Sequence, residues 1–280
     1  MAAGTSSRFV PLSLEIPKGL LEVKGEILIE RQIRQLHEAG ITNITIVAGY
    51  QAEKFKYLID RFGVDIVINE DYARYNNTSS LIRVLDRLGD TYICCSDNYF
   101  PKNVFIYKSE TGYYSAKFAS GKTDEYCLSF DKDLTITDVR VGGEDSWYMV
   151  GHVYFHNEFS EAFKKLLASE YSKEEIRKGY WEDLYIKNIK SLPPLKVKQY
   201  SDKSIEEFDS LDELRQFDST YIKDTRSSVL KSIARRLDCG EDALSGFRRL
   251  TANGQPLRFS FIKDSEQYVY CQSDDTITRL

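Results

Sequence analysis

Three groups of residues in this 280-residue sequence have the types and spacing that chemistry requires. The first is Ala2-Ala3-Gly4-Thr5-Ser6-Ser7-Arg8. Small side chains let backbone N–H groups approach phosphate oxygens, the hydroxyls of Thr5, Ser6 and Ser7 add donors, and Arg8 suits bidentate pairing with phosphate. Lys18, ten residues beyond Arg8 and behind Pro17, is a second cation. Composition alone favours a solvated amino terminus with scattered charges, so this loop gains meaning only from its context. The second group is acidic: Asp97 in Ser96-Asp97-Asn98, and Glu182 and Asp183 in Tyr180-Trp181-Glu182-Asp183. A pair of carboxylates suits Mg²⁺, a hard cation that takes oxygen ligands. The competing readings are a solvated aspartate at a strand end and acids favoured by the positive end of a helix. The third group is for recognition. Asn76 and Asn77, with Ser80 behind them, offer paired donors and acceptors. Glu125-Tyr126, Trp147-Tyr148 and Tyr180-Trp181 combine aromatic faces with acids, as an organic cation needs. Core packing is the alternative for each aromatic, and helix capping for the Asn/Ser run.

These groups need a frame. With 42% hydrophobic residues the chain is globular and long enough for one large domain plus an appendage. A formal charge of −5 argues against general nucleic-acid binding. No apolar run approaches the ~20 residues needed to span a membrane, and no signal peptide is visible. Five cysteines, Cys94, Cys95, Cys127, Cys239 and Cys271, fit no metal-ligand spacing and read as reduced thiols in a cytoplasmic protein.

The first hundred residues alternate between two periodicities. GEILIERQIRQLHEAG, AEKFKYLIDRFG and SSLIRVLDRLGD have helical spacing, and ITNITIVAGY, VDIVIN and TYICCSDN are apolar strands. Apolar strands separated by amphipathic helices imply βαβ units around a buried, mostly parallel sheet, with ligands at the carboxyl ends of the strands. Asp97 lies at such an end. After Asn98, YYSAKF, YCLSF, ITDVRV and YMVGHVYFH follow without helices and predict an antiparallel extension of short strands. EFSEAFKKLLAS and YWEDLYIKNIKSL are helical again, LKVKQY is a strand, and SIEEFDSLDELRQFD ends in a helix capped at Ser210, with Glu213 three residues on. A boundary is expected near residue 224, giving domains 1–224 and 225–280. The second reads as a helix, SSVLKSIARRL, and short strands with turns at Asn253-Gly254 and Asp264-Ser265.

MAAGTSSRFVPLSLEIPKGLLEVKGEILIERQIRQLHEAGITNITIVAGY, VINEDYARYNNTSSL, YICCSDNYF, YWEDLYIKNI and SIEEFDSLDEL together resemble, in order, the bacterial CTP:phosphocholine cytidylyltransferases of the nucleotidyltransferase superfamily. The resemblance spans about residues 1–221. It implies an α/β, Rossmann-like mixed sheet with flanking helices, of the nucleotide-diphospho-sugar transferase type, with a small α+β appendage. It also implies transfer of CMP from CTP to phosphocholine, with Mg²⁺ on Asp97 and Glu182 and with Asp183 as the alternative ligand. Lys18 would lie by the reacting phosphates, and Arg8 with the amides of Ala2 to Ser7 would hold the leaving pyrophosphate. Asn76, Asn77 and Ser80 would lie near cytosine. Glu125, Tyr126, Trp147, Tyr180 and Trp181 would meet choline; the position matching Tyr126 is often Trp in the family. Two departures stand out. The strand that leads into the Ala-Ala-Gly loop is expected to be missing, which predicts a weakened sheet, and Cys95 replaces the first of two acids. Another acceptor, a sugar 1-phosphate or aminoethylphosphonate, is the nearest alternative, although no Glu-Lys-Pro signature follows Asp97; a catalytically weak binding or regulatory protein is the other. GFRRLTANGQPLRFSFIKDSEQYVYCQSDDTITRL resembles the first strands of a choline-kinase-like domain, and is expected to be a structural pad or a homodimer contact.

Overall fold

The computed structural model of the chain describes residues 1–250 and 257–280. The Asn253-Gly254 turn lies outside the described residues. The chain forms two compact units: Met1–Gly4 with Ile29–Glu207, and Thr5–Leu28 with Phe208–Leu280. They do not follow a single cut at residue 224, because the amino-terminal segment Thr5–Leu28 groups with the C-terminal stretch.

In the first unit, strands β1 (Thr45–Ala48) and β2 (Asp65–Ile68) pair in parallel. Strands β3 (Thr91–Cys94), β4 (Tyr113–Phe130), β5 (Ile136–Phe155) and β6 (Lys196–Gln199) form a second sheet in the order β3-β5-β4-β6. Its β3–β5 and β4–β5 pairs are antiparallel and its β4–β6 pair is parallel. The first three residues lie between β1 and β3. Ala2 N donates to Val47 O at 2.8 Å and Tyr50 N to Ala3 O at 3.1 Å; on the other side Met1 N donates to Cys94 O at 2.8 Å and Ser96 N to Met1 O at 3.1 Å. Where a leading strand was expected to be missing, Met1–Ala3 therefore supplies a short length of ladder that pairs on both sides.

The four short strands expected after Asn98 are two long ones, β4 and β5. Glycine did not break them: Gly121, at φ +78°, sits where the β4–β5 register shifts between Ala119 and Lys122, so it makes a bulge. The helix read over SSLIRVLDRLGD is α-helical at Thr78–Leu81 and continues as a 3₁₀ segment, Ile82–Arg87, broken at Val84. Leu81, Val84 and Leu88 remain buried. Helix Asn157–Glu170 buries Phe159, Phe163 and Leu167 at four-residue spacing, against Phe155, Trp181 and Tyr185. Each such side chain stabilises the fold by about 1.5–3 kcal/mol through removal from water.

The second unit holds an antiparallel sheet in sequence order: β7 (Ser245–Arg249), β8 (Arg258–Lys263), β9 (Glu266–Cys271) and β10 (Thr276–Arg279). Asp264 and Ser265 both have positive φ, +51° and +65°, the conformation a two-residue hairpin requires, and Lys263 faces Glu266 across it. Helix Leu211–Phe217 begins with the expected cap: Ser210 Oγ accepts from Glu213 N at 3.2 Å, and Glu213 accepts from Asp209 N at 2.9 Å. Helix Ser228–Arg236 is capped by Ser227. Among the described residues no helix is long and apolar enough to cross a membrane, and all five cysteines are free.

Candidate active site

Helix Trp181–Lys187 carries Glu182 and Asp183 in its first turn, which points them in different directions. Glu182 accepts from Asn77 Nδ2 at 3.0 Å and from Tyr114 OH at 3.3 Å. Asn77 Oδ1 accepts from Trp181 N at 2.9 Å, so one amide holds both the acid and the start of its helix. Asn76 N donates to Arg177 O at 3.0 Å and Thr78 Oγ1 to Gly179 O at 2.8 Å, completing a seam between the two segments. Burial pushes the Glu182 carboxyl up to about 7 despite the hydrogen bonds from Asn77 and Tyr114, which favour its ionised form.

Asp183 has other partners. One carboxylate oxygen accepts from Tyr126 OH and the other from Tyr180 N, each at 2.9 Å. The second bond caps the helix start. Tyr126, Tyr180 and Asp183 line a cavity of about 350 Å³ whose apolar wall includes Val139, Ile176 and Leu184. Glu175 and Lys187 border it as well.

Asp97 follows β3. Cys95, beside it, is exposed by surface area, yet loss of surrounding water and then the Asp97, Glu207 and Glu182 carboxylates push its thiol well up. The oxygen donors of Asp97 and Glu182 suit a hard divalent cation. No cluster of three or more metal-ligating side chains occurs among the described residues. The amide of Asn98, beside Asp97, is 1% exposed with neither its oxygen nor its nitrogen partnered.

The remaining sequence candidates fall as follows. Ala2 and Ala3 are buried in the ladder described above, and Gly4 is exposed with open space beside it. Thr5, Ser6 and Ser7 belong to the second unit, where Ser6 adopts φ +48° and accepts from Phe9 N at 2.8 Å. In that unit Asp209 gathers both cations: it pairs with Arg8 at 2.6 Å and with Lys18 at 4.0 Å, and the buried Lys18 ammonium lies over the Phe9 ring. Asn76 Oδ1 accepts from Asn77 N, and Ser80 is buried and accepts from Asn69 Nδ2 at 3.0 Å. Glu125 is exposed on β4. Trp147 packs edge-on against Phe118, its partner across the β4–β5 pair, and is not in the cavity wall. Trp181 is 2% exposed, stacked on Tyr114 and flanked edge-on by Phe155 and Phe163, because the first helical residue after Tyr180 faces the core. It too is absent from the cavity wall.

Sequence reasoning missed Tyr114 and Asp209. Tyr114 alternates with Tyr113 along β4, and only pairing shows which of them faces Glu182. Asp209 carried a signal, since it stands directly before the Ser210 cap.

Residues 1–101 match the MobA-like NTP transferase domain. The choline-phosphate cytidylyltransferase of Streptococcus pneumoniae is 32% identical over 218 residues, covering 78% of this chain and 95% of that protein. The 2-aminoethylphosphonate cytidylyltransferase of Lancefieldella rimae is 33% identical over 232 residues, covering 81% and 94%. The solved CTP:phosphocholine cytidylyltransferase from Streptococcus pneumoniae is similar with a TM-score of 0.75 at 32% identity, over 78% of this chain and 96% of that one. A putative glucose-1-phosphate thymidylyltransferase from Bacillus anthracis shares the fold, with a TM-score of 0.61 at 17% identity, over 78% and 92%.

Proposed function

This chain belongs to the nucleotidyltransferase family of the choline-phosphate cytidylyltransferases, and from that premise we propose that it transfers CMP from CTP to phosphocholine. The observation that carries the reading is the divergence of Glu182 and Asp183. Consecutive acids face two environments: Glu182 is held by Asn77 and Tyr114, and Asp183 borders a tyrosine-walled cavity suited to a quaternary ammonium. Phosphocholine carries both a phosphate and such a cation.

In the reaction a phosphate oxygen of the acceptor forms a bond to the α-phosphorus of CTP. The bond from that phosphorus to the bridging oxygen breaks, and pyrophosphate leaves with the electron pair. No covalent nucleophile is needed, so the task is alignment and charge neutralisation. Asp97 and Glu182 would hold Mg²⁺, which when bound would neutralise phosphate charge. Asn77 and Tyr114 orient Glu182 for this role. Arg8 and Lys18 are the cations for the triphosphate, with the backbone of Ala2 to Ser7, and Asp209 keeps the two cations placed. Asn76, with its neighbours Asn77 and Ser80, is assigned to the base side. Tyr126, Tyr180 and Asp183 receive the trimethylammonium group.

A second acceptor, 2-aminoethylphosphonate, is favoured by the 33% identity to the enzyme named for it. Pyrophosphate release distinguishes the two: purified protein is supplied with Mg²⁺, with CTP, UTP or dTTP, and with phosphocholine, 2-aminoethylphosphonate or glucose 1-phosphate. CDP-choline formation from CTP is the expected outcome, abolished in Asp97→Ala/Glu182→Ala. Turnover confined to another acceptor, or unaffected by that double substitution, overturns the reading.

A further inference from the structure

We propose that the Tyr126 hydroxyl makes the cation cavity selective for methylated ammonium groups, by occupying Asp183. This rests on the phosphocholine reading and adds to it a residue that ranks acceptors. The Asp183 carboxylate supplies negative charge to the cavity, yet both its oxygens are engaged: one accepts from Tyr126 OH and the other from Tyr180 N, each at 2.9 Å. The ring of Tyr126 contributes to the wall while its hydroxyl is spent on the acid.

The two classes of head group make different demands. A primary ammonium has three strongly hydrated N–H donors, and entering the cavity is favourable only if acceptors replace the lost water. A trimethylammonium has no donor; it needs diffuse negative charge and apolar or aromatic contact. With two of its roughly four acceptor positions taken by Tyr126 and Tyr180, Asp183 offers a primary ammonium fewer directional partners. The wall residues Val139, Ile176 and Leu184 offer an N–H group nothing and methyl groups much. Glu175 also borders the cavity, but it is exposed, where water competes with any ammonium for its carboxylate. Lys187, exposed at the same rim, disfavours every cation alike. Selectivity is thus the sum of an engaged acid and an apolar wall, and Tyr126 is its adjustable part. Tyr126→Phe keeps the ring and frees one further acceptor position on Asp183 for a primary ammonium.

The test is a series of acceptors with CTP and Mg²⁺: phosphoethanolamine, its mono- and dimethyl forms, and phosphocholine. In the wild type kcat/KM is expected to rise with each methyl group, mainly through KM. In Tyr126→Phe the ratio of phosphocholine to phosphoethanolamine is expected to fall about tenfold, the worth of one charge-assisted hydrogen bond. A general structural defect would lower both acceptors together and leave the ratio unchanged. Equal kcat/KM across the wild-type series, or the same ratio in both proteins, overturns the role of Tyr126 while leaving the transferase intact. CMP transfer to none of the four acceptors overturns the reading beneath it as well. The wild-type series decides the selectivity even if Tyr126→Phe fails to fold.

Discussion

Asn77 and Glu182, 105 residues apart in sequence, are joined by a 3.0 Å hydrogen bond from the Asn77 amide, whose oxygen also receives the Trp181 N–H at 2.9 Å. The amide therefore fixes both the acid and the helix that bears it. Asn77→Ala leaves a partly buried N–H and a carboxylate short of a donor, a loss of about 1–3 kcal/mol in stability by denaturant titration. Asn77→Asp sets two carboxylates against each other. It should cut the initial rate of pyrophosphate release more than Asn77→Ala, and raised Mg²⁺ should recover part of that loss. A double-mutant cycle with Glu182→Gln is expected to show coupling between the positions; additive effects would separate them.

Glu182 also gives the first unit a pH signature. Its carboxyl is raised by burial to about 7, above the ordinary value of 4.5. The native protein thus holds a proton that the unfolded chain releases between those values. Stability from this group is complete below about pH 4.5 and declines as pH rises through about 7, by at most about 1.4 kcal/mol per pH unit. Urea midpoints in EDTA at pH 5 and pH 8 are expected to show this component, and Glu182→Gln to remove it. Because the ionised acid is the metal ligand, Mg²⁺ affinity should rise over the same interval.

Periodicity made the parallel β1–β2 pair, the Asn157–Glu170 helix, the Ser210 cap and the Asp264-Ser265 turn legible, because each is set by local spacing or turn chemistry. The two long strands were read as four short ones because a glycine bulge and a glycine turn look alike without the partner strand. Glu182 and Asp183 were identifiable as acids at a helix start, but their separate directions depend on Asn77, Tyr114 and Tyr126, contributed by distant strands and loops. Trp181 and Tyr180 are neighbours of equal aromatic appeal in sequence. Helix geometry sends the first into the core and leaves the second exposed, so pattern alone could not rank them.

His152 predicts acid sensitivity. It is 1% exposed, neither ring nitrogen has a partner, and Tyr92, Phe100, Phe105, Tyr113 and Tyr200 surround it at 5.3–5.9 Å between ring centroids. Burial, and then the Lys198 ammonium, push it down from 6.5 to about 3. The fold keeps it neutral, so the unfolded chain binds one more proton between those values. Stability from this group is present above about pH 6.5 and is lost on acidification, again by at most about 1.4 kcal/mol per pH unit. His152→Phe should flatten the pH dependence of the thermal midpoint between pH 6.5 and 4.5; an unchanged slope would place the acid sensitivity elsewhere.

Gly49 links the sheet to the amino-terminal segment. A β-carbon built on it would lie 2.6 Å from Tyr72 Cβ and 2.9 Å from the Ala3 carbonyl oxygen, the same oxygen that accepts from Tyr50 N. Neither neighbour can yield cheaply: the first is the root of a side chain, and the second is backbone held in the ladder. Gly49→Ala should therefore cost about 1–3 kcal/mol by overpacking. The displacement should fall on Ala3, at the start of the phosphate loop. KM for CTP is then expected to rise more than KM for the acceptor. Destabilisation with both constants raised equally would mean that the strain is absorbed at Tyr72 and that Ala3 stays in place.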